Sequence, residues 1–278
     1  MTFSIVARSA DGVAHGVAVA SKFLAVGAAV PAAEAAVGAL ATQSYANLAY
    51  RPQGLALLRT GTAAADVVAG LTAADPERES RQLGVVGRTG DGATYTGTGC
   101  HGWAGGRTGD GYAIQGNILT GPEVAAAMET AWLASDPADG AAGLARRLLA
   151  ALRAGDGAGG DRRGRQSAAL YVVAPGEGYG GTGDVVFDLR VDDHPDPCAE
   201  LSRLLDIHTL LFGKPDPATL LPLRDAVADE VRALLTARGH TASDLDAALS
   251  DWAGIENLEE RLVPGSIDPL VLTHLRAS

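Results

Sequence analysis

The second residue of the chain carries the first chemistry that the sequence offers. Thr2 follows Met1, and because threonine is small, the initiator methionine is readily removed in such a context. The mature chain would then begin with Thr2, which would hold a hydroxyl nucleophile and an α-amine general base on a single residue. The alternative is an ordinary strand that happens to begin here, so the residues expected around Thr2 must decide between the two interpretations.

Lys22 is the predicted neighbour of Thr2. Residues 2–8 alternate in polarity, Asp11-Gly12 indicates a hairpin turn, and residues 16–21 form the returning strand. From this alternation we expect Lys22, at the end of the returning strand, to lie near Thr2. An ammonium in that place would lower the pKa of the attacking group and stabilise negative charge that develops beside it. The alternative is a solvated lysine at a strand end.

A nucleophile of this kind also needs donors for the oxyanion of its intermediate. The segment 41–50 ends a predicted strand and leads into a helix, and it is rich in suitable groups. The candidate donors are the side chains of Gln43, Ser44 and Asn47 and the main-chain N–H of Ala46. Ordinary turn chemistry is the alternative, with Ser44 or Asn47 capping the following helix.

Two further polar groups are candidates for substrate binding, and Ser21 joins them through its place beside Lys22. Gln115 and Asn117 share one face of the strand 111–117, where buried amides without partners would be costly. The segment 160–167 holds the other group, since guanidinium groups suit a substrate carboxylate. Its candidates are Asp161, Arg163, Arg165 and Gln166. The alternatives are a turn at Asn117 and a solvated loop at 160–167.

Other patterns favour structure over chemistry. The string GTGCHG at 97–102 opens no helix, so it does not predict dinucleotide binding. Cys100 and His101 are adjacent in the chain, which does not bring their side chains together. The acidic segment 192–196 is explained by a loop before a helix, with Asp196 as cap and Pro197 in the first turn. We expect no metal and no cofactor.

Composition excludes several classes of protein. The net charge is −11, whereas binding to nucleic acid requires a basic surface. No apolar run reaches the length of a membrane span, and the first residues lack the basic and apolar regions of a signal peptide. Two cysteines are too few for a disulfide framework. We therefore expect a cytoplasmic protein whose partner is a small molecule, with no nucleic acid and no membrane.

The pattern of the chain changes near residue 195 and predicts an α+β domain followed by helices. Two helix pairs alternate with strands that form largely antiparallel sheets, and this order suits two stacked sheets between two helical layers. The strands are predicted at 2–8, 16–21, 25–30, 36–43, 82–88, 93–98, 111–117, 167–173 and 184–191. The helix pairs are predicted at 50–59 with 63–71 and at 123–134 with 141–152. We place the domains at 1–195 and 222–278, with a helix and linker at 196–221.

Several strings of residues resemble a known family. TFSIVA, GVAVASKFLAVGA, ATQSYAN, YAIQGNIL and GDRRGRQSAAL occur in this order over roughly residues 2–195. They look like domain-of-unknown-function family 1028, and the order of elements resembles the four-layer αββα fold of N-terminal-nucleophile (Ntn) hydrolases such as proteasome β-subunits and penicillin acylases. The resemblance implies a sandwich of two sheets and, less directly, an Ntn hydrolase.

The function expected from this resemblance is hydrolysis of a carbon–nitrogen bond in a small anionic molecule. Thr2 attacks, its amine serves as base, Lys22 tunes the site, and amides from residues 43–47 hold the oxyanion. The bond is an amide or a cyclic imine of the pyrroline-carboxylate type, from which ammonia is released. The alternative is a non-catalytic protein that binds a small molecule or a cell-wall fragment. We expect a homo-oligomer.

The last residues read as a small helical module. Helices are predicted at 225–239, 243–254 and 269–276, with Ser243 as the cap of the second. Trp252, the segment 256–261 and Ile267-Asp268 resemble a peptidoglycan-binding-like module that often accompanies the family. That resemblance implies contact with cell wall, and a dimerisation or lid module is the alternative.

Overall fold

The chain forms two compact units. The computed structural model describes residues 2–137 and 140–278. It divides into Met1–Ser202 and Arg203–Ser278. The sequence predicts boundaries at 195 and 221, and the structure has a single division between Ser202 and Arg203. Each unit buries an apolar core of its own.

The first unit is built around two antiparallel sheets. Its strands are β1 (Thr2–Arg8), β2 (His15–Ser21), β3 (Pro31–Glu34), β4 (Gly38–Ser44), β5 (Arg81–Gly87), β6 (Ala93–Thr96), β7 (Trp103–Gly109), β8 (Tyr112–Leu119), β9 (Ser167–Val173) and β10 (Val185–Val191). One sheet has the order β10-β9-β2-β1-β8-β7, and the other has the order β3-β4-β5-β6. All the pairs are antiparallel, as the sequence predicts.

Helices pack against both sheets of the first unit. The helices that begin in this unit are α1 (Val26–Ala29), α2 (Tyr50–Arg59), α3 (Ala64–Ala73), α4 (Glu123–Ala134), α5 (Gly140–Gly157) and α6 (Pro197–Phe212), and α6 continues past Ser202. Helices α2 and α3 contact the four-stranded sheet, and α4 and α5 contact the six-stranded sheet. Small buried side chains such as Val6, Val19 and Ala41 fill the space between the sheets. The first unit is therefore a mixed α/β structure with antiparallel sheets.

The two faces of β1 have different roles. Ser4 bonds to Gln43 on the opposite sheet, so Thr2, Ser4 and Val6, which alternate along the strand, face the space between the sheets. Phe3 faces the other way, and a β-carbon at Gly155 of α5 would lie 3.4 Å from its ring. The polar residues of β1 are thus enclosed between two sheets rather than exposed to solvent.

The observed elements differ from the predicted ones in these regions of the first unit. The strand predicted at 25–30 is the short helix α1, which begins after Ala25 at a φ of 53° and is followed by strand β3 at Pro31. Because proline supplies no N–H, the helix cannot continue through it. Strand β7 was not predicted, since its glycines at 105, 106 and 109 give little strand signal.

The second unit is mainly helical. It contains α7 (Asp225–Ala237), α8 (Leu245–Glu256), α9 (Pro269–Ala277) and a small ladder of β11 (Leu221–Pro222) with β12 (Ser266–Ile267). Trp252 lies in its core at 2% exposure. The predicted cap Ser243 is wrong by one residue, because the carboxylate of Asp244 accepts the N–H of Asp246 at 3.1 Å.

Candidate functional site

Thr2 lies at the start of a strand that is paired on both sides. It is 6% exposed and stands opposite Asn117 of β8. Its Oγ1 is 3.1 Å from Oγ of Ser21, and either hydroxyl can be the donor. Ser21 is itself 2% exposed. The two hydroxyls therefore form a buried pair at one end of the six-stranded sheet.

Ser21, and not Lys22, shares the face of Thr2. Ser4 pairs with Val19 and Phe3 with Ala20, so the residue opposite Thr2 is Ser21. The prediction that Lys22 lies beside Thr2 is therefore wrong by one residue, because directly opposed residues of an antiparallel pair point to the same side. Alternation along β1 and β2 did not fix how the two strands are aligned, and the predicted turn between them did not fix it either.

Lys22 instead binds the loop that precedes β9. Its main-chain N–H donates to Oδ2 of Asp161 at 2.7 Å, and its ammonium donates to the carbonyl of Arg165 at 3.2 Å. The side chain itself is exposed. Lys22 thus joins the end of β2 to the segment 161–165, and the carboxylate of Asp161 accepts the main-chain N–H of Lys22.

A cluster of amide side chains lies between the sheets beside Thr2. Each of its members is at most 1% exposed: Gln43, Gln82, Gln115 and Asn117. Nε2 of Gln43 lies 3.2 Å from the carbonyl of Thr2, 2.8 Å from Oε1 of Gln82 and 3.3 Å from the carbonyl of Gln115. Because these contacts engage the amide of Gln43 within the protein, that amide holds β1 in place and is not free to meet an oxyanion.

Gln82 is the centre of this cluster and was not predicted from the sequence. Its Oε1 accepts from Gln43 and, at 2.9 Å, from Nδ2 of Asn117. Its own Nε2 donates to the carbonyl of Gly116 at 2.7 Å. The signal available in the sequence was a lone amide at the start of the apolar run LGVVG, where a buried strand needs a reason for a polar residue.

Gln115 closes the cluster on the side of β1. Its Nε2 donates to Oγ of Ser4 at 2.6 Å, and Ser4 in turn donates to Oε1 of Gln43 at 2.7 Å. The Oε1 of Gln115 is buried and has no hydrogen-bond partner among the described residues. It lies against Gly84 of β5, where a side chain would leave it no room.

The segment that follows β4 is held by structural contacts. Asn47 accepts the N–H of Ala49 at 3.1 Å and donates Nδ2 to Oδ2 of Asp75 at 3.0 Å. The amide of Asn47 is therefore engaged in turn contacts, but neither Ser44 nor Asn47 caps the following helix as the turn alternative predicts, since the cap position is Ala49 and has no side-chain bond. The main-chain N–H of Ala46, a candidate donor, makes none of the hydrogen bonds found in the described part of the chain.

Asp75 organises this segment. It accepts Nε of Arg81 at 3.0 Å and the hydroxyl of Tyr50 at 2.9 Å, besides the amide of Asn47. The Arg81 guanidinium, followed by the Asn47, Glu77 and Tyr50 donors, holds the pKa of Asp75 well below its usual range against the opposing effect of burial. Asp75 is therefore an ionised anchor for the loop, a role that the sequence analysis did not assign.

Ser44 and Cys100 meet at the edge of the site. Ser44 has a φ of 70°, and its Oγ lies 3.5 Å from Sγ of Cys100, which also approaches the carbonyl of Arg81 at 3.4 Å. The ring of His101 lies edge-on to Tyr45, with centroids 6.1 Å apart. Cys100 and His101 thus contact different residues, in agreement with the interpretation that their adjacency in the chain is not a catalytic pair.

Strand β8 is distorted beside Thr2. Gly105 pairs with Gly116 and Trp103 with Leu119, so β8 has one extra residue here and forms a bulge. Ile118 within it has a φ of 49°, which is a strained value for a β-branched residue. Its N–H donates to the carbonyl of His101 at 2.9 Å. Strain of this kind is concentrated at functional sites in proteins.

The predicted anion-binding segment forms ion pairs within the chain. Asp161 is a buried carboxylate, with 2% of its side chain exposed, and pairs with Arg163 at 3.3 Å. Arg165 pairs with Asp156 at 2.8 Å, and the carbonyl of Gln166 accepts the N–H of His194. The side chains of Arg163 and Arg165 are 45% and 46% exposed, so both guanidinium groups also reach solvent.

A cavity of about 10 Å³ lies between Ser21 and this segment. Asp161, Arg165 and Ser167 contribute to its wall together with Ser21. A space of this size has room for about one water molecule. Residues 2–137 and 140–278 contain no group of three or more His, Cys, Asp or Glu side chains placed to hold a metal ion.

No helix in the described ranges combines the length and apolarity that crossing a bilayer requires. Of the site residues predicted from the sequence, Thr2, Ser21, Gln43, Gln115 and Asn117 come together. Asp161 and Arg165 share the wall of the small cavity with Ser21, and Lys22 and Arg163 join this group through their contacts with Asp161. Ser44 lies beside Cys100, and Asn47 belongs to the Asp75 cluster.

Comparison with known proteins identifies the family of the chain. Residues 2–201 match the model of a family of unknown function, DUF1028, and residues 211–275 match the model described as "Putative peptidoglycan binding domain". No curated protein matches the chain. The crystal structure of protein SPO2555 from Silicibacter pomeroyi, assigned to DUF1028, has 31% sequence identity and a TM-score of 0.65. The match covers 82% of this chain and 92% of that one. This chain therefore belongs to the DUF1028 family.

Proposed function

We propose that the protein is an Ntn hydrolase that cleaves a carbon–nitrogen bond in a small anionic molecule, with Thr2 as nucleophile. The observation that carries the proposal is the buried hydroxyl of Thr2, held 3.1 Å from Ser21 at the first described residue of a doubly paired strand. The ordinary-strand alternative requires neither the buried hydroxyl pair nor the amide cluster that holds the carbonyl of Thr2.

The arrangement of the first unit is consistent with a four-layer αββα Ntn sandwich. Two antiparallel sheets meet through the small side chains between them, and α2 with α3 and α4 with α5 contact their respective outer faces. The bond from Ser4 to Gln43 joins β1 to the second sheet at 2.7 Å. In such a fold the terminal residue of β1 has a fixed position, which a nucleophile needs.

The proposed reaction begins with removal of Met1, a residue that lies outside the described ones. The freed amine of Thr2 takes the proton of Oγ1 as that oxygen bonds to the substrate carbonyl carbon. The carbon–nitrogen bond then breaks, and the leaving nitrogen receives the proton. Water hydrolyses the resulting ester, which releases the acid and restores the hydroxyl. A cyclic imine carbon is the alternative electrophile. Its hydrolysis opens the ring to an amino carbonyl compound, and ammonia leaves only when the second carbon–nitrogen bond is cleaved as well.

The neighbouring residues have positioning roles in this proposal. The hydroxyl of Ser21 orients Oγ1 of Thr2, and the Gln43 amide holds the carbonyl of Thr2 at 3.2 Å. We take the N–H of Ala46, which makes none of the hydrogen bonds found among the described residues, as the oxyanion donor, because the side-chain amides of Gln43 and Asn47 are engaged. Arg163, which is 45% exposed, is placed to meet an anionic group of the substrate.

The decisive experiment measures the chain terminus and then turnover. Intact-mass analysis should give a chain that begins with Thr2, since retained Met1 would leave no free amine on that residue and would end the proposal. A screen of small amides and cyclic imines then identifies the electrophile. Thr2→Ser should retain turnover, and Thr2→Ala should lose at least about 100-fold in kcat.

A matched control separates chemistry from stability. Thr42 lies in β4 at 0% exposure, and its hydroxyl has no hydrogen-bond partner among the described residues. Thr42→Ala removes the same buried atoms as Thr2→Ala but breaks no hydrogen bond found among the described residues, so it should cost no more stability than Thr2→Ala and should leave turnover unchanged. Equal activity losses in the two variants would argue against a nucleophilic role for Thr2.

Non-catalytic binding of cell-wall fragments is the second candidate function. The match of residues 211–275 to a peptidoglycan-binding model favours it. Purified full-length protein should then sediment with insoluble peptidoglycan, and Thr2→Ala should bind equally well. Absence of sedimentation with wild-type protein removes this candidate and leaves a dimerisation or lid role for the second unit. Sedimentation velocity of the same sample tests the proposed homo-oligomer, and fractionation of cells tests the proposed cytoplasmic location.

A further inference from the structure

An open pocket of about 460 Å³ lies in the first unit, apart from the residues around Thr2. Its walls come from α1, β3, the first turns of α2, and strands β9 and β10. None of its lining residues lines the small cavity beside Ser21. Pockets of roughly 300 to 1,000 Å³ are the usual size for small-molecule sites. We propose that this pocket binds a small aliphatic carboxylate.

The charge of the pocket favours an anion. Its ionisable lining consists of Arg51, Asp188 and Arg190, in a chain whose net charge is −11. Arg190 is largely neutralised, because its Nε and Nη2 donate to the two carboxylate oxygens of Asp188 at 2.7 and 2.9 Å. Arg51 has no carboxylate partner in the described part of the chain, so one positive charge remains to attract a ligand.

Arg51 is held in place with part of its guanidinium still available. Its Nη1 donates to the carbonyls of Ala28 and Ala29 at 2.9 and 3.3 Å, at the end of α1. The contacts found for it among the described residues use Nη1 alone. Nε and Nη2 therefore form a free edge, which matches the two oxygens of a carboxylate. Because α1 fixes the other side of the group, little side-chain freedom is lost on binding.

Tyr171 supplies a second polar group. It lies on β9 opposite Asp188 of β10, and its hydroxyl makes none of the hydrogen bonds found among residues 2–137 and 140–278. A phenol of this kind donates readily to a carboxylate oxygen. The pocket thus places a free hydroxyl donor and a free guanidinium edge in one enclosure.

The remaining wall is apolar and selects the body of the ligand. Ala32 and Ala33 come from β3, and Leu48, Pro52 and Leu55 surround the start of α2. Leu48 is 52% exposed, so it adds accessible apolar surface to this wall. An aliphatic chain fits these side chains, whereas a highly charged or polyhydroxylated ligand would leave polar groups unpaired against them.

Binding of hexanoate and of its neutral isostere hexanamide tests the proposal. Ligand-observed NMR titration of full-length protein should show saturable binding of hexanoate and at least about tenfold weaker binding of hexanamide. Arg51→Gln should weaken hexanoate binding by about tenfold or more. Tyr171→Phe, which removes a single oxygen, should weaken it by a few fold and provides a test that does not disturb α1.

Two control variants locate the ligand. Arg107→Gln removes an arginine of the edge strand β7, outside the pocket lining, that is 44% exposed and pairs with Glu129 at 2.7 Å. This variant should leave hexanoate binding unchanged. Thr2→Ala should also bind hexanoate like wild type. Equal affinities for hexanoate and hexanamide, no saturable binding of hexanoate, or a loss in Arg107→Gln equal to that in Arg51→Gln would overturn the proposal. Loss of binding in Thr2→Ala would assign hexanoate to the Thr2 site instead.

Discussion

Gly84→Ala is the substitution that most directly tests the amide cluster beside Thr2. A β-carbon at position 84 would lie 2.0 Å from Oε1 and 2.4 Å from Cδ of Gln115. The Gln115 side chain is 0% exposed, and its Nε2 is bonded to Ser4 at 2.6 Å. The amide must therefore move, and its movement breaks the bond that leads through Ser4 to Gln43.

The expected cost follows from two effects. Overpacking of a closed core costs about 1 to 3 kcal/mol. Loss of the buried bond between Gln115 and Ser4 adds about 1 kcal/mol. Gly84→Ala should therefore lower the free energy of unfolding by about 2 to 4 kcal/mol, measured by denaturant unfolding at pH 7. If the proposed function holds, turnover should fall as well, because Gln43 holds the carbonyl of Thr2.

The chain provides a matched control on the same strand. At Gly87 a β-carbon would lie 3.5 Å from Cδ2 of Leu58, which is an ordinary contact. Gly87→Ala should therefore be neutral or slightly stabilising, since alanine loses less conformational entropy on folding. The double variant Gly84→Ala/Gln115→Ala removes the clash and should be more stable than the sum of its single variants predicts. Equal effects at 84 and 87, or strict additivity in the double variant, would falsify the reasoning.

Two further predictions concern buried charge. His15 is 0% exposed, its ring nitrogens have no partner among the described residues, and burial lowers its pKa from 6.5 to about 4. As pH falls, the unfolded chain takes up the proton before the folded chain does, so the free energy of unfolding should decline between about pH 6.5 and 4 by up to about 3 kcal/mol. His15→Leu should flatten the plot of unfolding free energy against pH in this range. Equal slopes for the wild type and the variant would contradict the prediction. Arg261 pairs with Asp268 at 2.5 Å with side chains 3% and 5% exposed, so Arg261→Met should destabilise the second unit by about 3 to 5 kcal/mol. Arg276→Met breaks an exposed pair with Glu230 and should cost less than about 1 kcal/mol. Denaturant unfolding of the two full-length variants should distinguish these two stability losses.

Local patterns were sufficient for most elements of the first unit. Period-two alternation predicts β1, β2 and β9, and helical periodicity predicts α2 from Tyr50 to Arg59. These patterns succeed because each element must bury one face. The helix α1 and the strands β3 and β7 escaped prediction, because two four-residue elements and a glycine-rich strand leave too little pattern.

The site was predicted in part for the same reason. Sequence alone identified Gln115 and Asn117 because buried amides need partners, and it identified Thr2 and Gln43 as a candidate nucleophile and oxyanion donor. It could not establish that Gln43 and Asn117 both bond to Gln82, since they lie 39 and 35 residues from it in the chain and meet it only when the two sheets stack.

Register, which only the tertiary structure decides, determines which residues surround Thr2. By its own composition and alternation the chain determines antiparallel sheets, a polar strand end at Thr2 and a separate helical region after it. A shift of one residue between β1 and β2 exchanges Ser21 for Lys22 as the neighbour of Thr2, because successive side chains of a strand point to opposite faces. The strands that are hydrogen-bonded on both sides of each strand fix that register. These pairings join distant parts of the chain, so no local pattern predicts them.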